Sequence, residues 1–391
     1  SISLIHVNTC PNNGGNLTKR IRTHLFSQTL IENIVHYRRP VFRNATVDTQ
    51  VTIFKNESLV DEHRIKVSVV ERDGAIISYV IEQRRWQAGN GRPVNVLERP
   101  EFVDLTDRLR RFPVLDRICI ITQGAKPFQV GKGVPPQTRK IVDEKPFVSE
   151  KRRDSSFRSL LRGSLMHRYQ IVWRNNYWIS FGDWLAEPRH SAQYDAPRKI
   201  VIRQTGDSLI ATLDEEQFVV RDNLYTILLR ENSLDLRYVL GLLNSRFLKW
   251  VYQTIINPEK GEALAQVKRG HLAQLPLALP KHSDSVDFAK HDQVVALVVR
   301  MLELHKRSLE AQTPVEQERL QRQISVTDQE IDRLVYDLYG LTEEEIQIVE
   351  AASVATSGKV KENDGHESET ESANRPGASR GASATVAQPA Q

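Results

Sequence analysis

Aromatic and cationic side chains are most concentrated between residues 160 and 185, which read LLRGSLMHRYQIVWRNNYWISFGDWL. This segment holds three of the chain's five tryptophans among three arginines: Trp173, Trp178, Trp184, Arg162, Arg168 and Arg174. Large aromatic rings can pack the core of a strand pair, whereas guanidinium groups bind phosphate and read guanine through two hydrogen bonds. Two interpretations follow: a packed hairpin that turns at Asn175-Asn176, or a surface that binds a nucleic acid.

The positive charge of the chain is concentrated in the same region. The net charge of the 391 residues is +5. Between Glu150 and Ile210 there are 11 Lys/Arg against 6 Asp/Glu, so this stretch carries the whole excess. Phosphate binding requires concentrated positive charge, because each neutralised phosphate releases counterions. The charge distribution therefore favours an anionic partner.

Motifs for catalysis are missing from the sequence. It contains neither GxGxxG nor GxxxxGK[ST], and neither HExxH nor an NPPY or DPPY tetrapeptide. The acidic-x-Lys triplet Asp143-Glu144-Lys145 stands directly before Pro146 and indicates loop charge. Dinucleotide, P-loop and zinc sites need those motifs. We therefore expect no catalytic residue, no metal ligand and no cofactor in this chain.

The composition is that of a protein with large cores and a polar surface. No apolar run approaches the roughly 20 residues that span a membrane, and the N-terminus has no signal-peptide pattern. Cys10 and Cys119 lie far apart, without CxxC spacing. We expect both to be packed, reduced thiols of a cytoplasmic protein without a membrane partner.

The periodicity of apolar residues changes along the chain. Alternation predicts strands at residues 31–36 and 46–54, and many short strands broken by Gly, Pro and Asn predict a β-rich region at 117–229. An apolar stripe from Leu236 to Val251 predicts one helix. Two long helices then form an antiparallel hairpin. The second begins at Thr313 with a capping box and ends at Gly340.

Several stretches together resemble one family, the C-terminal part of TaqI-like and type IIG restriction-modification proteins, whose methyltransferases modify adenine in DNA. The stretches are PVFRNATVDTQVTIFKN (40–56), ITQGAKPFQVGKGVPPQT (121–138), LLRGSLMHRYQIVW (160–173), FGDWLAEPR (181–189), KIVIRQTGDSLIAT (199–212), LLNSRFLKWVYQ (242–253), VKRGHLAQLPLALP (267–280) and IDRLVYDLYGLTEEEIQIVE (331–350). Their order and spacing carry the resemblance, which runs with gaps from about residue 40 to residue 350.

The resemblance implies an α+β protein: the end of an α/β methyltransferase domain, a β-rich recognition domain and a C-terminal helical hairpin. The expected bounds are 1–60 for the end of a Rossmann-like methyltransferase domain, 61–115 for a connecting mixed α/β segment, 116–282 for a TaqI-like DNA target-recognition domain, 283–350 for the hairpin and 351–391 for a disordered tail. The family's S-adenosylmethionine loop and NPPY motif would precede Ser1. S-adenosylmethionine is thus expected as the cofactor of a complete enzyme.

Nine side chains are candidate DNA contacts: Lys126, Lys132, Arg162, Arg168, Tyr169, Arg203, Gln204, Lys249 and Lys268. Arg162, Arg168 and Arg203 could grip phosphate or guanine, or lie on a solvated face or in an internal salt bridge. Tyr169 stands in the family's RG-x-x-x-x-RY stretch.

The remaining candidates also have alternatives. Lys126 and Lys132 lie on a glycine-rich loop whose backbone could approach a phosphate. Gln204 could bond adenine bidentately, or serve a turn. Lys249 and Lys268 would position phosphates or simply lie on the surface.

The leading hypothesis is a DNA-recognition module whose partners are double-stranded DNA and a methyltransferase half. The alternative is a stand-alone DNA-binding or regulatory remnant that acts with a separate methylase in phage defence. An independent nuclease is disfavoured, because the sequence has no metal-binding carboxylate cluster.

Overall fold

The computed structural model describes residues 2–7, 23–38, 41, 49–71, 73–87, 96, 100–189, 192–206, 208–231, 234–257, 266–280 and 285–360. Three sequence predictions lie outside these residues: the packed thiol at Cys10, the start of the strand predicted over 46–54, and the tail beyond residue 360. Within the described part of the chain, no helix is long and apolar enough to cross a membrane.

The strands are β1 (Ile2–Val7), β2 (Leu30–Tyr37), β3 (Thr49–Lys55), β4 (Arg64–Val70), β5 (Ile76–Glu82), β6 (Cys119–Gln123), β7 (Val148–Ser149), β8 (Phe157–Leu161), β9 (Met166–His167), β10 (Gln170–Ile171), β11 (Trp178–Ser180), β12 (Lys199–Arg203), β13 (Ala211–Asp214), β14 (Val219–Val220) and β15 (Leu224–Leu229). The α-helices are α1 (seen over 23–28), α2 (Arg84–Gln87), α3 (Val103–Leu109), α4 (Leu115–Ile118), α5 (Arg139–Glu144), α6 (Leu236–Asn244), α7 (Arg246–Val251), α8 (Arg269–Leu272), α9 (Ser285–Glu310), α10 (Pro314–Tyr339) and α11 (Glu343–Val360). The order confirms the predicted α+β class.

The first five strands form one sheet in the order β1-β3-β2-β4-β5. β2 and β4 run parallel, and the other neighbours are antiparallel. In β4 alternating residues such as Ile65 and Val67 are buried, and in β2 the buried Ile31 and Ile34 lie on either side of a bulge. This alternation is the period-2 signature of a sheet with one covered face. The strands predicted near residues 31 and 50 are present as β2 and β3, and the sheet continues across the boundary predicted at residue 60.

Two four-stranded sheets follow, in the orders β13-β12-β15-β6 and β14-β8-β11-β7. The first sheet is antiparallel throughout, and β14 pairs with β8 in parallel. The first sheet packs against helices in one large core, and the second has a core of its own around Leu160, Ile179 and Val219. The β-rich region predicted for residues 117–229 is therefore present as these two sheets and the short β9–β10 pair.

The helix predicted from Leu236 to Val251 is in fact two helices, because the extended backbone of Ser245 interrupts it. The side chain of Asn244 accepts a hydrogen bond from the Ala211 nitrogen (3.1 Å) and donates to the Ala211 oxygen (3.0 Å). Ser245 then caps α7 by accepting from the Leu248 nitrogen. Asn244 thus attaches the end of α6 to β13.

The helices α9 and α10 form the predicted hairpin. Thr313 caps α10 through the Glu316 nitrogen, Pro314 stands at its start, and Gly340 ends it in the left-handed conformation. These signals were correctly predicted. Buried residues of both helices belong to the core that also contains β12 and β15, where α9 packs against α6 and β10 and α10 packs against α7. The last helix, α11, continues to Val360, beyond the tail boundary predicted at residue 351.

Candidate nucleic-acid interface

Strand pairing brings four chain segments to one end of the two four-stranded sheets. Arg203, the last residue of β12, is opposite Leu224, the first residue of β15. Leu161, the last residue of β8, is opposite Val220 of β14. The turn 221–223, which joins β14 to β15, therefore lies beside the ends of both β8 and β12. We refer to Arg162, Tyr177, Arg203, Arg221 and Asn223 as the strand-end cluster.

Tyr177 lies between two arginines of the cluster. The guanidinium carbon of Arg162 is 4.6 Å from the centroid of the Tyr177 ring. Nη1 of Arg221 donates a hydrogen bond to the Tyr177 hydroxyl at 3.1 Å. Cation–π contact and hydrogen bonding fix both side chains on the same ring. The cluster therefore presents its positive charge from a preorganised surface.

Arg203 is held on the other side of Gly163. Its Nε donates to the Thr205 hydroxyl at 2.8 Å. A Cβ built at Gly163 would lie 3.2 Å from Asn223 Nδ2 and 3.7 Å from Arg203 Cγ. Because residue 163 has no side chain, the side chains of Arg203 and Asn223 can both lie close to its backbone. Arg162, the preceding residue, is thereby placed next to them.

Three polar atoms of the cluster have no hydrogen-bond partner among the described residues. They are Nε of Arg162, Nε of Arg221 and Oδ1 of Asn223, and all three are buried at the atom level. Burying a donor or acceptor without a partner costs about 1–3 kcal/mol. Native proteins keep few such groups, and each calls for an explanation. Two donors and one acceptor of the cluster thus lack a partner, and a ligand would reach them only after the side chains rearrange.

Several of the predicted contacts border the cluster. The Gln204 nitrogen donates to the Asn223 oxygen (2.9 Å), and its oxygen accepts from the Val267 nitrogen (2.7 Å). Lys268, the next residue, is exposed at the start of α8. The Ala125 nitrogen bonds the Val220 oxygen, which places Lys126 beside the same turn. Three predicted residues thus lie next to the cluster.

The prediction that Tyr169 contacts DNA is wrong. Tyr169 is only 2% exposed and belongs to the core that contains β12 and β15. Its φ of 63° places it in a left-handed turn between β9 and β10, and its nitrogen bonds the Ala211 oxygen. This turn directs the ring inward, where no nucleic acid can reach it.

Arg168 lies in the internal salt bridge that was one of its predicted alternatives. Its Nη1 donates to Asp328 Oδ2 at 2.9 Å, and its Nε donates to the Asn244 oxygen at 3.0 Å. These bonds tie the β9–β10 turn to α10 and to the end of α6. Lys249 lies on α7, the helix that packs against α10 and α11. Neither residue belongs to the strand-end cluster.

The tryptophans of the opening segment mainly build the core. Trp173 and Trp184 pack against the second core, and Trp173 lies 5.1 Å from both Phe218 and Trp178. β11 begins at Trp178, and Asn175 before it has a φ of 57°. Sequence reasoning missed Tyr177, Arg221 and Asn223 as cluster members.

A buried carboxyl group links α10 to the start of α7. Asp332 of α10 is 1% exposed and accepts from the Arg246 nitrogen at 2.8 Å. The pKa of the Asp332 carboxyl is raised to about 7, mainly by burial and also by the nearby negative charge of Asp328. The charged groups around it are Arg168, Arg246 and Asp328.

We expect the stability of the protein to depend on the protonation of Asp332. Because its folded pKa of about 7 is above the usual 3.8, the folded state keeps a proton that the unfolded state releases. Stability from this group is therefore present at low pH and lost as the pH rises through 7. Between pH 5 and 8 the wild type should lose up to about 3 kcal/mol relative to Asp332→Asn.

Urea unfolding of the two proteins at several pH values measures this difference. Burial lowers the pKa of His305 to about 4, so His305 gives the opposite trend below pH 6.5. That trend is common to both proteins and cancels in the comparison. A difference that stays constant from pH 5 to 8 would contradict a folded pKa of about 7 for Asp332.

No group of three or more His, Cys, Asp or Glu side chains within the described ranges could hold a metal ion. Cys119 is fully buried, and burial raises its thiol pKa to about 12. Its thiol therefore stays protonated and unreactive near neutral pH.

Residues 158–277 match the model of the TaqI-like C-terminal specificity domain. The matched range contains all five residues of the strand-end cluster. The resemblance predicted from the sequence is thereby confirmed over these residues.

Two known restriction-modification proteins are similar over longer ranges. A putative type II restriction enzyme and methyltransferase of Methanocaldococcus jannaschii is 20% identical over 276 residues, which are 68% of this chain and 22% of the relative. The Type IIL restriction-modification enzyme MmeI, whose structure was determined in complex with DNA, superimposes with a TM-score of 0.51 at 12% identity. That match covers 92% of this chain and 50% of MmeI, and it shows a shared fold. The chain thus spans about a fifth of one relative and half of the other.

Proposed function

We propose that this chain recognises a DNA sequence for a restriction-modification protein. One observation carries the proposal: strand pairing gathers three guanidinium groups, a tyrosine ring and a carboxamide from separate segments at one end of the recognition sheets. The specificity-domain match and the similarity to an enzyme that binds DNA support it. A cationic surface with few hydrogen-bonding side chains suits contact with both phosphates and base edges.

The groups in the cluster divide naturally between the two tasks. Lys126 and Lys268, which border the cluster, carry compact charges that suit phosphates and would fix the register of the duplex. Arg203 and Arg221 have the fork geometry that reads guanine or clamps a phosphate. The carboxamide of Asn223 has a donor and an acceptor that suit adenine in the major groove. Its Oδ1 is buried here, so this pairing requires a change of rotamer.

The proposal extends to the complete enzyme. We propose a type IIG, adenine-N6-specific methyltransferase of cytoplasmic phage defence, in which this chain works with a methyltransferase half. S-adenosylmethionine, when bound to such an enzyme, supplies the methyl group. The printed sequence has neither the NPPY motif nor a GxGxxG loop, so we assign none of its residues to that cofactor. Adding S-adenosylmethionine should accordingly leave the DNA affinity of this chain unchanged.

Selection from a library of randomised duplexes tests the proposed function. We expect the wild-type chain to enrich one short sequence. Asn223→Ala should relax the preference at one base pair, because a wrong base pair typically costs about 1–3 kcal/mol. Arg322→Ala, which removes an exposed arginine of α10 paired with Glu318, is the matched control and should enrich the wild-type sequence. Bound duplexes without any common sequence would contradict a role in recognition.

A further inference from the structure

The loop between Lys126 and Gln137 is held in one shape by its own hydrogen bonds. Gln137 is 2% exposed, and its Nε2 donates to the oxygens of Pro127 and Trp184, each at 2.8 Å. Its Oε1 accepts from the Gln129 nitrogen at 2.9 Å. A buried glutamine thus closes the base of this segment, which we call the finger loop (residues 127–137).

The tip of the finger loop is equally constrained. The Gly131 nitrogen donates to the Gln137 oxygen at 2.9 Å, and the Val134 nitrogen donates to the Asp183 oxygen at 2.8 Å. Gly133 has a φ of 87°, and a Cβ there would lie 2.5 Å from the Trp184 oxygen. Only glycine fits this conformation and this contact. The tip is therefore preformed, which lowers the entropy lost when it binds a partner.

This rigid tip exposes apolar side chains instead of burying them. Val130 is 51% exposed and Val134 is 71% exposed. Lys132 lies between them and is also exposed. The hydrogen bonds that shape the loop thus hold two valines and a lysine out towards a partner. An apolar and cationic tip suits a ligand that combines apolar surface with negative charge.

The root of the finger loop is attached to the strand-end cluster. Nζ of Lys126 donates to Gln129 Oε1 at 2.9 Å. The Gly124 nitrogen bonds the Leu224 oxygen and the Ala125 nitrogen bonds the Val220 oxygen, on either side of the turn that carries Arg221 and Asn223. A Cβ at Gly124 would lie 2.1 Å from the Arg221 oxygen, which shows how closely the root and the turn pack.

We infer that the finger loop enters a groove of the duplex bound at the cluster. Val130 and Val134 contact the apolar edges there, such as thymine methyl groups and deoxyribose, and Lys132 binds a neighbouring phosphate. This inference rests on the proposed DNA binding. Duplex DNA is the occupant because its grooves present apolar edges beside phosphates, and because the root of the loop belongs to the proposed interface.

The double substitution Val130→Ser and Val134→Ser tests the apolar contact by fluorescence anisotropy on a random-sequence duplex. We expect about a tenfold loss of affinity, the order expected when two valine side chains become partly buried in the complex. The logarithmic dependence on salt should keep its slope, since no charge changes. Lys132→Ala should instead reduce the magnitude of that slope by about 0.9, the contribution of one phosphate contact. Val315→Ser with Val326→Ser, two exposed valines of α10, is the matched control and should bind as the wild type does.

The outcomes separate this inference from the function on which it rests. If the finger variant binds like the wild type while Arg203→Ala with Arg221→Ala binds weakly, the finger inference is overturned and the proposed function stands. If the wild type does not bind duplex DNA even at low salt, the proposed function itself fails. Thermal unfolding should be unchanged in the finger variant, because both valines are exposed.

Discussion

Replacing Asp214 with alanine should destabilise the protein by about 3–5 kcal/mol, the cost of leaving a buried charge without its partner. Nζ of Lys199 lies 2.7 Å from Asp214 Oδ2, and both side chains are fully buried. Burial lowers the pKa of Lys199, and the Asp214 carboxylate opposes that change. Without Asp214 the ammonium group would have to lose its proton or draw water into the core.

Asp214 also organises the turn that follows β13. Its two oxygens accept from the nitrogens of Glu216 (2.8 Å) and Phe218 (3.0 Å). Phe218 is 1% exposed and packs on Trp173, so the turn positions part of the second core. The loss of Asp214 should therefore loosen packing close to the opening aromatic segment, in addition to exposing the lysine charge.

Urea unfolding measures this effect, and the neighbouring ion pair supplies the control. Nε of Arg198 lies 2.7 Å from Glu215 Oε1, but both side chains are about half exposed. Glu215→Ala should cost less than about 1 kcal/mol, as exposed pairs usually do. Lys199→Met with Asp214→Asn should be more stable than Asp214→Ala alone. A cost below 1 kcal/mol for Asp214→Ala would mean that the pair is not buried as described.

The second large effect is expected in DNA binding. Arg203→Ala with Arg221→Ala should reduce affinity for a random-sequence duplex about a hundredfold at low salt. The slope of log affinity against log salt should fall by about two, because each neutralised phosphate contributes about 0.9. Both side chains are half-buried at the surface, where their removal leaves the core intact. The measurement is fluorescence anisotropy at several salt concentrations.

Arg322→Ala is the control for charge alone. It removes one arginine from the exposed surface of α10, whereas the cluster variant removes two. Its affinity and its salt slope should match those of the wild type. A loss per removed charge as large in the control as in the cluster variant would mean that binding follows the net charge of the protein and not the strand-end cluster.

Local signals in the sequence predicted the elements that depend on neighbouring residues. The Thr313 cap, the Gly340 stop and the alternation of β2 and β3 all involve residues within a few positions of each other. The interruption of the helix at Ser245 was not predicted. The apolar stripe continues through it, while the hydrogen bonds of Asn244 to Ala211 join residues 33 positions apart.

The candidate site was only partly predictable, because it too depends on contacts between residues far apart in the sequence. Arg162 and Arg203 stand out by composition, whereas Arg221 joins them only because Val220 pairs with Leu161. No local pattern specifies that register, since it is set by the packing of the whole sheet. Tyr169 was misassigned because a single positive φ turns its ring from the surface into the core.

The salt titration of the wild-type chain tests the account most directly. We expect micromolar or tighter binding to duplex DNA at low salt, weakening steeply as salt is added and indifferent to S-adenosylmethionine. Absence of binding at low salt would contradict the account, because the strand-end cluster would then face another part of a protein instead of DNA.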